Sequence, residues 1–543
     1  MRKKYIMMVG IIAGFIWLLV ACSDSAIEEQ QSEQGETVSS DVLVSKQVEK
    51  SCVSCHAVDQ SGKLERIEYM RKTPEGWAQT ISRMERIHGL KITDEEREQL
   101  VTDLSRERGL APEEAEKVQY WLANKPSYSE PMPENESVAQ SCIGCHAAGR
   151  FEAQRRTEEE WKNLKDFHLV MYPSIYLNHR HMDWPEESEK ALEFLAKNYG
   201  EESEAWEKWK GKEYDVTGKW KVAGFQGTNG YYIGDSEFSK SEKGYTEEKK
   251  VRFIKDGKEE NFSGDTKMFS GYMLRSHYKQ GENKINGTYN VTSENVIKGD
   301  WSKVDDLGIT AEETYYKVQS ETPEIFHAEP FALKKGETNK VTLYGMNLKK
   351  LKQELLSLPK GVEVVSLTAI SDDQAEVEMK VDQKAEIGAF ALNGEKVNVH
   401  EKWMLYDQAD YIKVEPAYGV SRMGGAGPMD KVSIQYVAYA YSNGKDGKKE
   451  SKDDLNLGPV DAEWSLLTYP EKNASRDDRP YIGELAKNGL YTPKAEGLNE
   501  AREFVQENVG SATVQAKVTI DGKSFTATTH HISTVPDYVN NVH

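Results

Sequence analysis

The sequence predicts a multidomain fold, all-α up to about residue 204 and all-β beyond it. Three observations carry that expectation. The chain has 543 residues, room for three or four domains at roughly 150 residues each. Its five cysteines all lie before position 146, in a stretch marked by repeated helix-start signals. Past residue 205 cysteine disappears, and short β-branched and aromatic runs alternate with Gly, Asn and Asp turns, as in antiparallel sandwiches and barrels. A formal net charge of -20 argues against a nucleic-acid partner. Five cysteines are too few for a disulfide scaffold of this size, so each needs its own explanation.

The N-terminus explains the first. Arg2, Lys3 and Lys4 precede an uncharged, almost wholly apolar run from Ile6 to Ala21, which closes on Leu19-Val20-Ala21-Cys22. This reads as an export signal over residues 1–21, too short and wrongly flanked for a spanning helix. The Leu-Val-Ala-Cys ending resembles the bacterial lipobox, which implies lipidation of Cys22; the alternative is an ordinary secretory signal that happens to contain a cysteine. The expectation is an exported lipoprotein facing the periplasm or the outer face of the cell membrane, touching the bilayer only through its N-terminal lipid. Residues 22–50, rich in Ser, Glu and Gln, are expected to form a flexible acidic tether.

The other four cysteines form two C-x-x-C-H motifs, Cys52-Val53-Ser54-Cys55-His56 and Cys142-Ile143-Gly144-Cys145-His146. Two thiols one turn apart can add to the two vinyl groups of one porphyrin, and the adjacent His reaches the iron. A redox dithiol or a Cys₄ zinc site would also use paired cysteines. The His directly after both pairs, in an exported chain, favours two covalent c-type haems with His56 and His146 as proximal iron ligands.

An internal repeat nominates the sixth ligands. Thr73-Pro74-Glu75-Gly76-Trp77 follows the first motif and Thr157-Glu158-Glu159-Glu160-Trp161 the second. Thr is a good N-cap with acidic residues behind it, so each opens a helix. Seven residues past each Trp stand Met84 and His168, both haem-ligand types. Seven residues is two turns, so Trp77 and Trp161 are expected to border the haems their helices serve. His88 rivals Met84, and Met171, His179 and His181 rival His168. A second repeat, Pro112-Glu113-Glu114 against Pro185-Glu186-Glu187, opens a closing helix in each unit. Residues 51–204 therefore read as two fused cytochrome c units. A Met-ligated iron has the higher potential, so electrons are expected to finish on the first haem.

Residues 205–322, with runs such as Gly218-Lys219-Trp220-Lys221-Val222 and Gly230-Tyr231-Tyr232-Ile233, read as an antiparallel meander able to close into a β-barrel. Residues 323–404 include the alternating Ala375-Glu376-Val377-Glu378-Met379-Lys380-Val381, a half-buried strand, and read as an immunoglobulin-like sandwich. Residues 405–543 hold further strands and a hairpin-turn candidate at Asp521-Gly522. The β region carries no phosphate loop, HExxH, GxSxG or EF-hand spacing. Asn443 to Glu450 reads as a solvated loop, and His530-His531 as exposed strand-edge histidines. No catalytic residue is expected in this chain.

The order of these parts resembles the α subunit of quinohaemoprotein amine dehydrogenase. The match is carried by Arg155-Arg156-Thr157-Glu158-Glu159-Glu160-Trp161, Phe167-His168-Leu169 and Gly458-Pro459-Val460-Asp461-Ala462-Glu463-Trp464-Ser465-Leu466, and covers nearly the whole mature chain. The resemblance implies an all-α dihaem cytochrome c domain, a β-barrel and two immunoglobulin-like sandwiches, the second over 405–543. It implies a heterotrimer with a β-propeller subunit and a small subunit bearing a cysteine tryptophylquinone. That quinone would oxidise primary amines, and the haems would pass electrons to an external acceptor such as a small cytochrome or copper protein. A lipid anchor departs from the soluble periplasmic members. Two other readings stay open: a dihaem peroxidase, which needs a vacant sixth position, and a membrane-tethered cytochrome for extracellular electron transfer with β docking modules.

Overall fold

The computed structural model of the protein describes residues 45–535 apart from 126–129, 131, 144, 320, 393, 395, 425–428, 473 and 504–506. The export signal, Cys22 and most of the expected tether lie outside the described residues. The last stretch of that tether is not flexible chain: helix α1 spans Lys46–Cys52. Ser45 caps it by accepting from the Val48 N–H, and Val48 itself is buried, so a capping serine and one apolar anchor suffice to order the segment.

The chain is mainly β, 43% strand against 22% helix, and its N-terminal region is not the all-α domain expected. Strand β1 (Met70–Lys72) pairs antiparallel with strand β2 (Gln154–Arg156), Arg71 facing Arg155. Each strand is only three residues long, two of them cationic, so the apolar alternation that reveals strands was missing. Each strand runs directly into a repeat-encoded helix: α2, Pro74–His88, and the helix Glu158–Met171. Thr73 accepts from the Gly76 N–H and Thr157 from the Glu160 N–H, both at 3.3 Å. Helix α2 stops at Gly89, whose φ of 76° is the left-handed conformation glycine adopts freely. Helix α3, Asp94–Glu107, follows with a Thr93/Glu96 capping box. The closing helix survives whole only in the second unit, as Trp184–Asn198; in the first it breaks into Pro112–Glu116 and Gln119–Leu122. Each unit packs its own core, around Trp77, Ile81, Leu100 and Leu104 in one and Phe151, Trp161, Ala191 and Leu195 in the other.

The strand pair is knitted by charge. Arg71 and Arg155, related by the repeat, both bind Glu114, Arg71 at 2.9 and 3.0 Å and Arg155 at 3.1 Å. All three are buried. Burial would raise the Glu114 carboxyl, but the hydrogen bonds and charges of Arg71 and Arg155 override it and hold it at about 2.

Eight strands, β3 to β10, close an antiparallel barrel, with β10 returning to β3. They are Gly218–Gln226, Gly230–Ser241, Gly244–Phe253, Glu259–Phe269, Met273–Gln280, Asn283–Ser293, Val296–Lys303 and Asp306–Lys317. Closure removes free edges. The barrel encloses a polar knot in an aromatic lining. Lys249 and Glu313, both fully buried, lie 2.8 Å apart, and Glu313 also accepts from the hydroxyls of Tyr232, Tyr289 and Tyr315. Leu110 and Ala111 of the helical region pack onto the barrel core, where Tyr272 donates to Leu110 O at 3.0 Å.

The third domain stacks a five-stranded sheet, including Thr338–Met346 and Gln374–Val381, with a three-stranded one. Its strand Glu324–Glu329 meets the barrel where Tyr231 stacks on buried His327 with ring centres 4.0 Å apart. Burial alone would lower the His327 pKa; the hydrogen bonds its ring donates to Glu329 and Glu401, at 3.3 and 3.2 Å, raise it to about 9. A raised folded-state pKa gives stability that is complete below the ordinary value of about 6.5 and disappears as pH rises through about 9. Melting temperature is therefore expected to fall across that window, and His327→Gln to flatten the fall. An unaltered slope in the variant would refute the assignment.

The last domain holds sheets of three, four and three strands. Asp521 and Gly522, with φ of 51° and 77°, turn the hairpin between Gly510–Ile520 and Lys523–Thr534. His531 is not an exposed edge residue. Its strand lies inside the four-stranded sheet, so alternation buries the ring, which touches Ser421 Oγ at 3.1 Å and the Tyr436 hydroxyl at 2.6 Å.

Candidate haem centre

The second C-x-x-C-H motif sits where the helix Glu136–Ser141 ends. The Cys142 N–H donates to Val138 O at 3.0 Å and the Cys145 N–H to Cys142 O at 3.4 Å, a turn that keeps both thiols at one helix end. Between this turn and the helix Glu158–Met171 lies a cavity of about 350 Å³, lined by Cys142, Cys145, His146, Trp161 and His168. The sequence separates these residues widely; the fold places them around one space.

Their chemistry suits a haem. His168 Nδ1 lies 2.7 Å from Leu164 O, and His146 Nδ1 3.0 Å from Ala147 O. A ring whose Nδ1–H is spent on a backbone carbonyl keeps the Nε2 lone pair for a metal. Burial lowers both pKa values, that of His146 to about 4, with Arg150 adding to the effect on each. Both imidazoles are thus neutral, the ligating form. Burial, with the neighbouring Cys145, pushes the Cys142 thiol up to about 12. A redox dithiol calls for a depressed cysteine pKa, so the raised Cys142 thiol fits thioether attachment better than a dithiol.

Trp161 lines the cavity with its ring and anchors its indole by donating to Tyr199 O at 3.1 Å. Among the rivals of His168, neither Met171 nor His181 lines the cavity, and both are exposed. His179 is buried, but against Trp184, with its Nδ1 2.9 Å from Ile175 O, and it too stays outside the lining. Replacing His168 with alanine is therefore expected to open the second iron to cyanide, read as a new low-spin spectrum, while His179→Ala leaves it closed. The reverse pattern would move the ligand to His179.

The first motif repeats the local geometry. The N–H groups of Cys55 and His56 return to Cys52 O at 3.0 and 2.9 Å, and His56 Nδ1 lies 3.1 Å from Glu65 O. Burial lowers the His56 pKa and, with Cys55, raises that of the Cys52 thiol to about 11. Met84 is half-buried on α2, whereas His88 at its end is exposed. Trp77 is buried in the unit's own core, donating to Arg108 O at 3.0 Å. None of Cys52, Cys55, His56, Met84 and Trp77 lines the cavity at the second motif.

Five basic residues to which the sequence reading gave no role in the site, Lys72, Arg83, Arg150, Arg156 and Lys165, also line it. The doublets Arg71-Lys72 and Arg155-Arg156 ahead of each helix were visible as part of the repeat. Cationic doublets are usually solvated surface, and only the strand pairing turns these inward.

Sequence-family models match the chain in four consecutive segments. The segment 43–206 matches the haem-binding part of quinohemoprotein amine dehydrogenase A, alpha subunit. Segments 213–313, 322–407 and 412–542 match domains II, III and IV of the same alpha subunit. No curated protein matches the chain. Among solved structures, a redesigned beta barrel aligns at 19% identity over 19% of this chain and 92% of its own, with a TM-score of 0.17. A SusE-like surface-located polysaccharide binding protein from Bacteroides thetaiotaomicron aligns at 11% identity over 55% of this chain and 43% of its own, with a TM-score of 0.13. Scores this low bear on neither fold nor function.

Proposed function

Because this chain belongs to the quinohemoprotein amine dehydrogenase alpha-subunit family, we propose that it is the dihaem electron-transfer subunit of an amine-oxidising complex. One observation carries the reading: both thiols and the proximal and distal histidines of the second motif converge on one cavity inside the segment that matches the haem-binding family model. Bound there, a haem would accept and release single electrons.

The chain's own residues supply the rest. Cys142 and Cys145 would hold the group covalently, and His146 and His168 would supply neutral imidazoles to its iron. The buried rings of Trp161 and Phe151 keep water from one wall of the cavity. Cys52, Cys55, His56 and Met84 are proposed for the first haem, in the first unit. None of the four described cysteines forms a disulfide; with these four assigned to haem and Cys22 reserved for lipid, none of the five remains to build a cysteine-derived quinone. Amine oxidation is therefore assigned to a quinone on a small partner subunit, with a β-propeller subunit completing a heterotrimer and an external cytochrome or copper protein taking the electrons. Tethering at the outer face of the cell membrane through Cys22 belongs to the same proposal.

Pyridine haemochrome analysis of the purified chain is expected to give two covalent haems, and a redox titration two separated midpoints. A single haem, or two indistinguishable midpoints without a thioether–iron charge-transfer band, would overturn the dihaem Met/His assignment.

A further inference from the structure

The cavity has one strongly cationic wall, and the two copies of the repeat differ there in a telling way. Lys72 and Arg156 are equivalent, each the residue before the capping threonine, and each lies over the ring of its helix's tryptophan, at 5.4 and 5.6 Å. In the second copy the helix offers Glu160, which lies 3.5 Å from Arg156 and 3.1 Å from Arg66. In the first copy the equivalent position is Gly76. A Cβ there would come within 3.1 Å of the Lys72 side chain, so the glycine makes room for the lysine and supplies no charge to meet it.

Lys72 is consequently buried with one neutral partner, Thr80 Oγ1 at 2.7 Å. Among the described residues no carboxylate lies within ion-pair distance of Lys72, Arg83 or Arg150, all of which line the cavity. Burial, then Arg156 and Arg83, pull the Lys72 pKa well down. The one carboxylate in that lining, Glu75, is held by Arg275. A buried amine among guanidinium groups is costly unless an anion completes the site.

We propose that Lys72 and Arg83, contributed by the first unit, together with Arg150 of the second, bind the two propionate carboxylates of the haem held by Cys142 and Cys145. This rests on the dihaem reading above. It makes the second haem's site a joint product of both units, and it sets that haem's potential: cations beside the porphyrin disfavour the more positive ferric state, so they raise the midpoint.

The test is a spectroelectrochemical titration of the full holoprotein, with the second haem identified by its absence from a Cys142→Ser/Cys145→Ser chain. Lys72→Gln is expected to lower the second midpoint and leave the first in place, and Arg83→Gln to lower the second midpoint. Lys72→Arg, which keeps the charge, is expected to restore it. Arg83 is only half-buried on α2, so its variant reports even where Lys72→Gln folds poorly. Unmoved second midpoints in folded Lys72→Gln and Arg83→Gln chains would overturn the proposal, as would a wild-type midpoint that tracks phosphate concentration, because a free anion would then fill the site. Failure of the dihaem reading shows separately, as fewer than two haems in the wild-type haemochrome assay.

Discussion

Replacing Cys142 and Cys145 together with serine is expected to remove one of two covalent haems and to abolish amine-dependent reduction of whatever haem remains. The argument is geometric. Both thiols line a single cavity with His146 and His168, so no other cysteine in the described residues can substitute. Thioether bonds also make the site's occupancy permanent; without them a porphyrin would be held by iron ligation alone and be lost during purification. Retention of two acid-stable haems per chain would show that these cysteines serve something else. The barrel and the domains after it bury their own cores, so their sheets should persist, and far-UV circular dichroism checks this.

Glu114→Gln is expected to destabilise the helical region by about 3–5 kcal/mol, the usual cost of stripping the partner from buried charges. Two guanidinium groups, from Arg71 and Arg155, converge on this one carboxylate, and Ser203 Oγ donates to it as well at 2.9 Å. Without it the arginines repel across the β1–β2 pair that joins the units. The same carboxylate predicts a direction for acid. Its folded pKa is depressed to about 2, so its contribution is present above the unfolded value of about 4.3 and disappears as pH falls through about 2. Urea titration of wild type and variant at neutral and acid pH measures both effects. Equal denaturation midpoints at pH 7 would remove Glu114 from the account.

Part of the candidate site was legible because a C-x-x-C-H motif is written in contiguous residues. C-x-x-C-H is local, and the T-x-E-x-W repeat needs only helical periodicity to place Met84 and His168 on the faces of their tryptophans. The strand pair was not legible. Met70–Lys72 and Gln154–Arg156 meet across more than eighty residues of sequence, and three-residue cationic strands have no alternation to read. With them went the basic wall, since Lys72 and Arg156 face the cavity only because those strands pair. The interior place of His531 was missed for a related reason: whether a strand is edge or centre depends on a parallel partner, Tyr418–Arg422, distant in sequence. The barrel was suggested by turn spacing, but closure rests on β10 meeting β3, a long-range pairing that no local pattern announces.

The account's central claim is that electrons taken from an amine arrive on this chain's haems. It is tested most directly by isolating the native complex, oxidising it, and adding a primary amine without air while recording the haem α-bands. The account predicts rapid reduction of both haems, with loss of the Met-ligated haem's charge-transfer band as that haem becomes ferrous. Haems that stay ferric with every primary amine tried, in a complex whose haems dithionite still reduces, would contradict it.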